Sequence, residues 1–245
     1  MTHPPLRAVL LDMDDTLCDT RSANAVAKTH FTKFAPSLLG PALDAPRYAE
    51  LYLEAIYRIL PEDLRHLDAL KEEKEYRNCC LRALAPLCGA AEPDAATADR
   101  LRLTFEESRL AAYDFFPGTV EMLKRLRHRF RLAVITNGPR YSQQPKLERV
   151  HMSRHVDTIL IGGDFPHEKP HPSIFAGALE HLQVSASDAV HVGDSLSADI
   201  AGARASGIRS VWICPDHHAG QHPAGPDAVL RRITELEALL ETWAR

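Results

Sequence analysis

The sequence predicts an α/β protein that has a parallel sheet and an inserted helical segment. Five short apolar runs rich in β-branched residues are typical of strands that are buried on both faces. Helical patterns separate the later runs, and this alternation indicates βαβ units in a doubly wound sheet. The predicted strands cover residues 8–11, 132–135, 158–161, 189–192 and 210–213.

The segment 21–115 departs from that alternation. It contains several amphipathic stretches and no convincing strand, and breaks rich in Ala, Pro and Gly interrupt it. Pro117 and Gly118 mark its exit before the next helix begins. We therefore expect residues 1–20 and 116–245 to form a core domain and residues 21–115 to form a separate helical domain.

Helices of the core domain are predicted from the spacing of apolar residues. Helical patterns run over residues 120–129, 174–182 and 198–205. Near the C-terminus, apolar residues at helical spacing predict a last helix that packs on the sheet. These residues are Ile233, Leu236, Leu240 and Trp243.

Composition narrows the possible classes of function. The chain of 245 residues is 45% hydrophobic and 25% charged, as in an ordinary globular protein. Its 29 basic residues are interspersed with 33 acidic ones, and the net charge of −4 argues against a nucleic-acid partner. The odd number of cysteines, five, and the absence of a membrane-length apolar run predict reduced thiols and no membrane partner. We expect a cytoplasmic monomer or homodimer.

The first predicted strand ends in the acidic stretch Asp12-Met13-Asp14-Asp15-Thr16. Ligands of open parallel sheets bind beyond the carboxyl ends of the strands. Extended geometry would direct Asp12 and Asp14 to the same side, where their charges repel. A divalent cation or a retained proton relieves that repulsion, and the latter is the state that a general acid needs. The alternative interpretation is an acidic surface turn.

Two further strand ends carry groups suited to anions. Thr136 and Asn137 precede Gly138, in a turn whose backbone N–H groups can face a phosphate, although Thr136 could also be a helix N-cap. Lys169 adjoins Pro170, which stiffens the backbone and would direct the ammonium group. Alone, each of these signals is weak.

The fourth predicted strand ends in Gly193-Asp194, and Asp199 follows at the predicted start of a helix. Carboxylate oxygens are the ligands that Mg²⁺ prefers. Random turns would rarely place Asp-x-Asp, Thr, Lys and Gly-Asp in this order at successive strand ends, so the combination favours one shared site.

These four motifs resemble those of the haloacid dehalogenase-like hydrolase superfamily, over residues 7 to about 240. The resemblance implies a Rossmann-like core and a helical cap between the first and second motifs. It also implies that Asp12 is the nucleophile, that Asp14 is the acid/base, and that Thr136, Asn137 and Lys169 bind the substrate phosphate. Mg²⁺ would be bound by the Asp12 and Asp194 side chains and the Asp14 backbone carbonyl, with Asp199 as a further ligand or as support for the ligands.

The function implied is a Mg²⁺-dependent phosphatase that hydrolyses a small phosphorylated metabolite, a nucleotide or a sugar phosphate, through an aspartyl-phosphate on Asp12. A sugar-phosphate mutase shares the motifs and remains an alternative. A 2-haloacid dehalogenase would need no second aspartate, so Asp14 argues against it. A phospho-receiver signalling domain is a non-enzymatic alternative, but a nucleophile on the first strand followed by a large insert is unlike a receiver.

Other polar residues have ordinary explanations. His191 lies within an apolar run and is predicted to be a packed core histidine. The histidines at 217, 218 and 222 lie in a Gly/Pro-rich loop without a helical pattern, which disfavours a metal site there. Four basic residues of the helical segment could meet the substrate, but solvated helix faces are the more common arrangement. They are Arg21, Lys28, Lys74 and Arg77.

Overall fold

In the computed structural model, which describes residues 6–216 and 225–243, six strands form one parallel sheet. The strands are Ala8–Leu11 (β1), Arg131–Thr136 (β2), Thr158–Ile161 (β3), Ala189–Gly193 (β4), Arg209–Ile213 (β5) and Ala228–Leu230 (β6). The first five confirm the predicted strands. β6 was not predicted, because three half-buried residues at a sheet edge are too few to show a period.

The strand order is β3-β2-β1-β4-β5-β6. From β1 the chain adds strands first on one side, β2 and β3, and then on the other, β4 to β6. Doubly wound sheets bind their ligands at the point where this strand order reverses, here between β1 and β4. Leu11, the last residue of β1, lies opposite Val134 of β2 and Val192 of β4. The register therefore brings the residues that follow β1, β2 and β4 to the same sheet edge.

Contacts between Cα atoms divide the chain into two compact units. One comprises the residues up to Asp19 and those from Asp114 onward, and the other is Thr20–Tyr113. We call them the core unit and the helical unit.

The helical unit contains five α-helices and no strand, and all its residues are described. Its helices are Thr20–Phe34 (α1), Pro36–Leu39 (α2), Ala45–Ile56 (α3), Glu73–Leu87 (α4) and Ala95–Ala112 (α5). Buried aromatic rings join α1, α3 and α5: the centroid of Tyr52 lies 5.7 Å from that of Phe31 and 5.1 Å from that of Phe105. Such contacts give the unit a hydrophobic core of its own.

The described part of the core unit has five α-helices around its sheet. They are Thr119–Arg127 (α6), Arg140–Arg149 (α7), Pro172–Leu182 (α8), Ala201–Ala205 (α9) and Leu236–Trp243 (α10). The helix predicted over 198–205 is a π-helical turn, Leu196–Ile200, that continues into α9. The helix α7 was not predicted, because it buries two polar residues beside Leu147 and shows no apolar pattern. Among the described residues, no helix has both the length and the apolar character required to cross a membrane.

Candidate active site

Lys169 lies at the centre of a buried polar cluster at the carboxyl edge of the sheet. Its ammonium group donates to Asp12 Oδ1 at 2.6 Å, to the backbone carbonyl of Ile135 at 2.7 Å and to Asp199 Oδ1 at 2.8 Å. Lysine has three N–H donors, so each donor has a protein acceptor. The loop after β3 thus supplies a cation that joins the ends of β1 and β2 to Asp199.

The Asp199 carboxylate is bound on both oxygens. Oδ1 lies 2.9 Å from His191 Nε2 and also accepts from Lys169, and Oδ2 accepts from the Ser195 backbone N–H at 3.0 Å. A side chain at Gly193 would clash, because its Cβ would lie 2.2 Å from the Asp199 Cγ atom. His191 is fully buried, as predicted for a core histidine, but it also takes part in the cluster, which the sequence did not indicate.

Burial and charge set the proton affinities within this cluster. Burial raises the pKa of Asp12 to about 7, although the Lys169 ammonium opposes that shift. Burial alone would also raise the pKa of Asp199, but Lys169 and His191 together hold it below its usual range. Burial lowers the pKa of His191, which favours the neutral imidazole. Lys169 and His191 therefore favour the ionised form of Asp199.

The acidic residues outnumber the cations here. Ligand atoms of Asp12, Asp194 and Asp199 all lie within 4.8 Å of one another. When all three are ionised they carry three negative charges, and the Lys169 ammonium, which contacts Asp12 and Asp199, balances one of them. A divalent cation would balance that excess, and carboxylate oxygens suit a hard cation. The donor set therefore fits a divalent metal ion.

Asp12 and Asp194 are better placed than Asp199 to bind such an ion directly. Both oxygens of Asp199 already accept protein hydrogen bonds. The backbone carbonyl of Asp194 accepts a hydrogen bond from Trp212 Nε1 at 2.7 Å, which fixes the main chain that carries its carboxylate.

Asp14 has a lysine of its own. Lys146 Nζ lies 2.5 Å from Asp14 Oδ2, and Gln143 Nε2 lies 3.3 Å from the same oxygen. Both side chains come from α7 and are buried. Neither residue was predicted, since the sequence of a polar helix does not indicate which polar residues face inward.

Thr136 and Asn137 occupy the end of β2. Thr136 is the last residue of that strand and is buried, and it is not a helix N-cap, because α7 begins only at Arg140 after Pro139. Asn137 contacts the backbone of Lys169: its Nδ2 donates to the Lys169 carbonyl at 2.8 Å, and its Oδ1 accepts from the Lys169 N–H at 2.9 Å. This pair of bonds fixes the main chain from which the Lys169 side chain extends.

Basic residues of the helical unit differ from one another in their surroundings. Arg77 is buried and pairs with Glu73 and Glu106 at 3.0 and 2.9 Å, so the expectation of a solvated side chain was wrong for it. Lys28 pairs with Glu50 at 2.6 Å, and Lys74 lies 3.5 Å from Asp99. The histidines at 217, 218 and 222 lie outside the described residues.

The chain is similar to known proteins over almost its whole length. Residues 6–207 match the family of haloacid dehalogenase-like hydrolases. The mouse N-acylneuraminate-9-phosphatase (Mus musculus) is 29% identical over 97% of this chain and 94% of its own.

Two solved structures resemble the fold along its length. A 2-haloacid dehalogenase from Pseudomonas syringae is 31% identical, with a TM-score of 0.69 over 98% of this chain and 100% of its own. The HAD-hydrolase YfnB of Bacillus subtilis, crystallised with magnesium, is 24% identical, with a TM-score of 0.71 over 97% and 99%. The family match covers most of the sequence and confirms the resemblance carried by the four motifs, and the protein therefore belongs to the haloacid dehalogenase-like hydrolases.

Proposed function

We propose that the protein is a Mg²⁺-dependent phosphatase that hydrolyses a small phosphorylated metabolite through an aspartyl-phosphate on Asp12. One observation carries the proposal. The buried Asp12 carboxylate contacts Lys169 and belongs to a cluster with two more carboxylates, which suits a divalent cation and a dianionic phosphate. The similarity to the mouse N-acylneuraminate-9-phosphatase supports a phosphoric monoester as the substrate.

In the first step a carboxylate oxygen of Asp12 attacks phosphorus, and the bond from phosphorus to the ester oxygen breaks. Asp14 donates a proton to that oxygen, and the alcohol leaves. Lys169 holds Asp12 through a 2.6 Å hydrogen bond, so the nucleophile is oriented before the substrate arrives. Asn137 and Ile135 fix Lys169 in turn.

In the second step water attacks the phosphorus of the acyl phosphate, and Asp14, now a carboxylate, accepts a proton from that water. Inorganic phosphate leaves and the Asp12 carboxylate is regenerated. Two in-line displacements replace one difficult hydrolysis, which is the advantage of a covalent intermediate.

Mg²⁺ would be held by the side chains of Asp12 and Asp194 and by the backbone carbonyl of Asp14. When bound, it would neutralise negative charge on the phosphoryl group. Asp199 would support this set by fixing Lys169. A direct contact between Lys169 and the substrate phosphate requires that one of its three protein acceptors share its proton.

The helical unit is the proposed cap that selects the substrate. The mouse relative acts on a 9-phosphate of an acylneuraminate, by its name, which favours phosphorylated sugars or sugar acids as the first candidates here. Nucleotides remain a second class to screen.

Two related reactions compete with simple hydrolysis. A mutase would pass the phosphoryl group from Asp12 to a hydroxyl of a second substrate instead of to water. The Pseudomonas syringae relative is a 2-haloacid dehalogenase by its name. In that reaction the nucleophilic carboxylate attacks a carbon atom, and neither Asp14 nor a metal ion is needed. The contact of Asp14 with Lys146 and the excess negative charge of the cluster therefore favour the phosphatase.

The test is a screen for phosphate release over phosphorylated sugars, sugar acids and nucleotides, with and without Mg²⁺ and with Asp12→Asn as the blank. The expected result is release that depends on Mg²⁺ and is absent from the blank. The same preparations should be offered 2-haloacids. Halide release with no phosphate release, or full phosphate release in a chelator, would overturn the proposal.

A further inference from the structure

The helix α7 buries polar side chains where a helix on a sheet ordinarily buries apolar ones. Gln143 and Lys146 lie three residues apart on the same face, and each is about as buried as the neighbouring Leu147. A buried ammonium or amide group is costly unless it has a hydrogen-bond partner. Lys146 contacts Asp14, and the amide nitrogen of Gln143 contacts both Asp14 and the Asn137 carbonyl.

Asp14 Oδ2 is the point where the two side chains meet. Lys146 Nζ lies at 2.5 Å and Gln143 Nε2 at 3.3 Å, while Gln143 Nε2 also donates to the Asn137 carbonyl at 2.5 Å. Gly138, at a φ of +101°, leaves room for that amide, because a Cβ there would lie 3.0 Å from Gln143 Nε2. The turn after β2 and the carboxylate after β1 are thereby tied together.

The backbone of Asp14 is fixed separately. The chain doubles back after Asp14, with Asp15 in the left-handed region at a φ of 58° and its N–H donating to the Cys18 carbonyl at 2.8 Å. The Cys18 N–H returns to the Met13 carbonyl at 2.9 Å. This turn fixes where the main chain of Asp14 lies, and the α7 side chains fix where its carboxylate points.

We propose that Lys146, assisted by Gln143, is the positioning residue for the acid/base Asp14, as Lys169 is for the nucleophile Asp12. The inference rests on the proposed function. Asp12 and Asp14 each contact a different buried lysine, one from the loop after β3 and one from α7. Loss of Lys146 therefore impairs proton transfer by Asp14 in both steps but leaves Asp12 oriented for attack by Lys169.

The experiment measures formation and breakdown of the phosphoenzyme separately. Labelled 4-nitrophenyl phosphate is a suitable probe, because its leaving group needs little protonation. Acid-quenched first turnovers and steady-state rates are compared for the wild type, Lys146→Met and Lys146→Arg. Lys124→Met, which changes an exposed lysine of α6, is the matched control.

Lys146→Met should form phosphoenzyme at close to the wild-type rate but hydrolyse it about 10²-fold more slowly, the lower end of a general acid/base contribution. Labelled protein then accumulates, and an unactivated alkyl phosphate, which also needs the proton, loses more turnover than the aryl ester. Lys146→Arg should recover part of the breakdown rate, since it can still donate to Oδ2. Lys124→Met should resemble the wild type.

Thermal unfolding of each variant tests for a merely structural loss. If Lys146→Met does not fold, Gln143→Met removes the weaker contact and should shift the balance toward accumulated phosphoenzyme in the same direction by a smaller factor. Equal slowing of formation and breakdown, or a change in KM alone, would overturn the role of Lys146. No label on the wild type in its first turnover would overturn the proposed function instead.

Discussion

Both units of the protein bury a network of charged side chains, but the two networks have opposite balances of charge. In the helical unit each carboxylate is bound by two cations: Glu73 by Arg58 and Arg77, and Glu106 by Arg77 and Arg102. In the core unit a single cation, Lys169, is shared by the carboxylates of Asp12 and Asp199. The first network thus has two cations for each of these carboxylates, and the second has one cation for two carboxylates.

This difference separates a structural network from a candidate site. Buried ion pairs by themselves are weak evidence for function, because their desolvation cost offsets their attraction. In the helical unit Glu73 and Glu106 each pair with two guanidinium groups, and the network links α4 to α5. In the core unit the excess of negative charge has a chemical use, because it can bind a cation and a phosphoryl group at a sheet edge.

The largest contrast is expected from removing one carboxylate of each network. Asp12→Asn should abolish labelling by an activated phosphate ester and reduce turnover by at least about 10⁴-fold, since an amide cannot form an acyl phosphate. Glu106→Gln, in the helical unit, should still be labelled. The measurement is acid-quenched phosphoprotein. Equal labelling of Asp12→Asn and the wild type would show that another residue accepts the phosphoryl group.

The helical network should contribute to stability. Arg77→Met leaves Glu73 and Glu106 each without one cation and should lower the free energy of unfolding by about 3–5 kcal/mol. Arg82→Met, on the same helix, breaks an exposed pair with Glu92 and should cost less than about 1 kcal/mol. Urea titrations followed by circular dichroism measure both. Similar losses in the two variants would mean that the buried network has no special weight.

The core network was easier to anticipate from the sequence than the helical one. Strands buried on both faces appear as uninterrupted apolar runs, and polar residues at their ends stand out against that background. Asp12 and Asp194, which lie together in the acidic cluster, were anticipated in this way, and Thr136 stays a predicted phosphate ligand. Lys169 lies eight residues beyond the end of β3, so that strand is a weaker landmark, and the adjacent Pro170, which suggested a fixed direction, supported the prediction.

The remaining parts depend on tertiary contacts that have no local signal. Gln143 and Lys146 belong to a polar helix, and only the position of Asp14 explains why they face inward. Likewise, Arg77 looks like any solvated helical arginine until α5 places Glu106 beside it. His191 was predicted to be buried for the right reason, its apolar strand, but its contact with Asp199 comes from a turn eight residues later.

A smaller effect is expected when the metal ion is added. Mg²⁺ should stabilise the folded wild type by about 2.7 kcal/mol at a concentration of 100 times its dissociation constant, because it binds only the assembled site. Asp194→Ala should lose most of this gain and need far more Mg²⁺ for activity. Asp99→Asn removes a carboxylate that pairs with Arg102 in the helical unit and should keep the full gain. Thermal unfolding with Mg²⁺ and with chelator measures it, and an undiminished response in Asp194→Ala would contradict the assigned site.

The smallest expected effect is a pH dependence of opposite sign in the two networks. Burial raises the pKa of Asp12 to about 7, above its ordinary value of 3.8, so without metal the folded state holds this proton more tightly than the unfolded state. Its contribution to stability is complete below about pH 4 and is lost as the pH rises toward 7. In the helical unit, hydrogen bonds from Arg102 and Asn78 lower the pKa of Asp99 to about 2, so its contribution is present above the unfolded pKa and is lost as the pH falls.

The two substitutions should therefore change the pH dependence of the unfolding free energy differently between about pH 5 and about pH 6. Asp12→Asn should shift its slope upward by no more than about 1.4 kcal/mol per pH unit, whereas Asp99→Asn should leave the slope unchanged. Mg²⁺ should reduce the effect of Asp12 on this slope, because the ion binds the ionised carboxylate and not the protonated one. An identical slope for the wild type and Asp12→Asn in chelator would mean that Lys169 alone compensates the buried charge, and the two networks would then not differ in the way proposed.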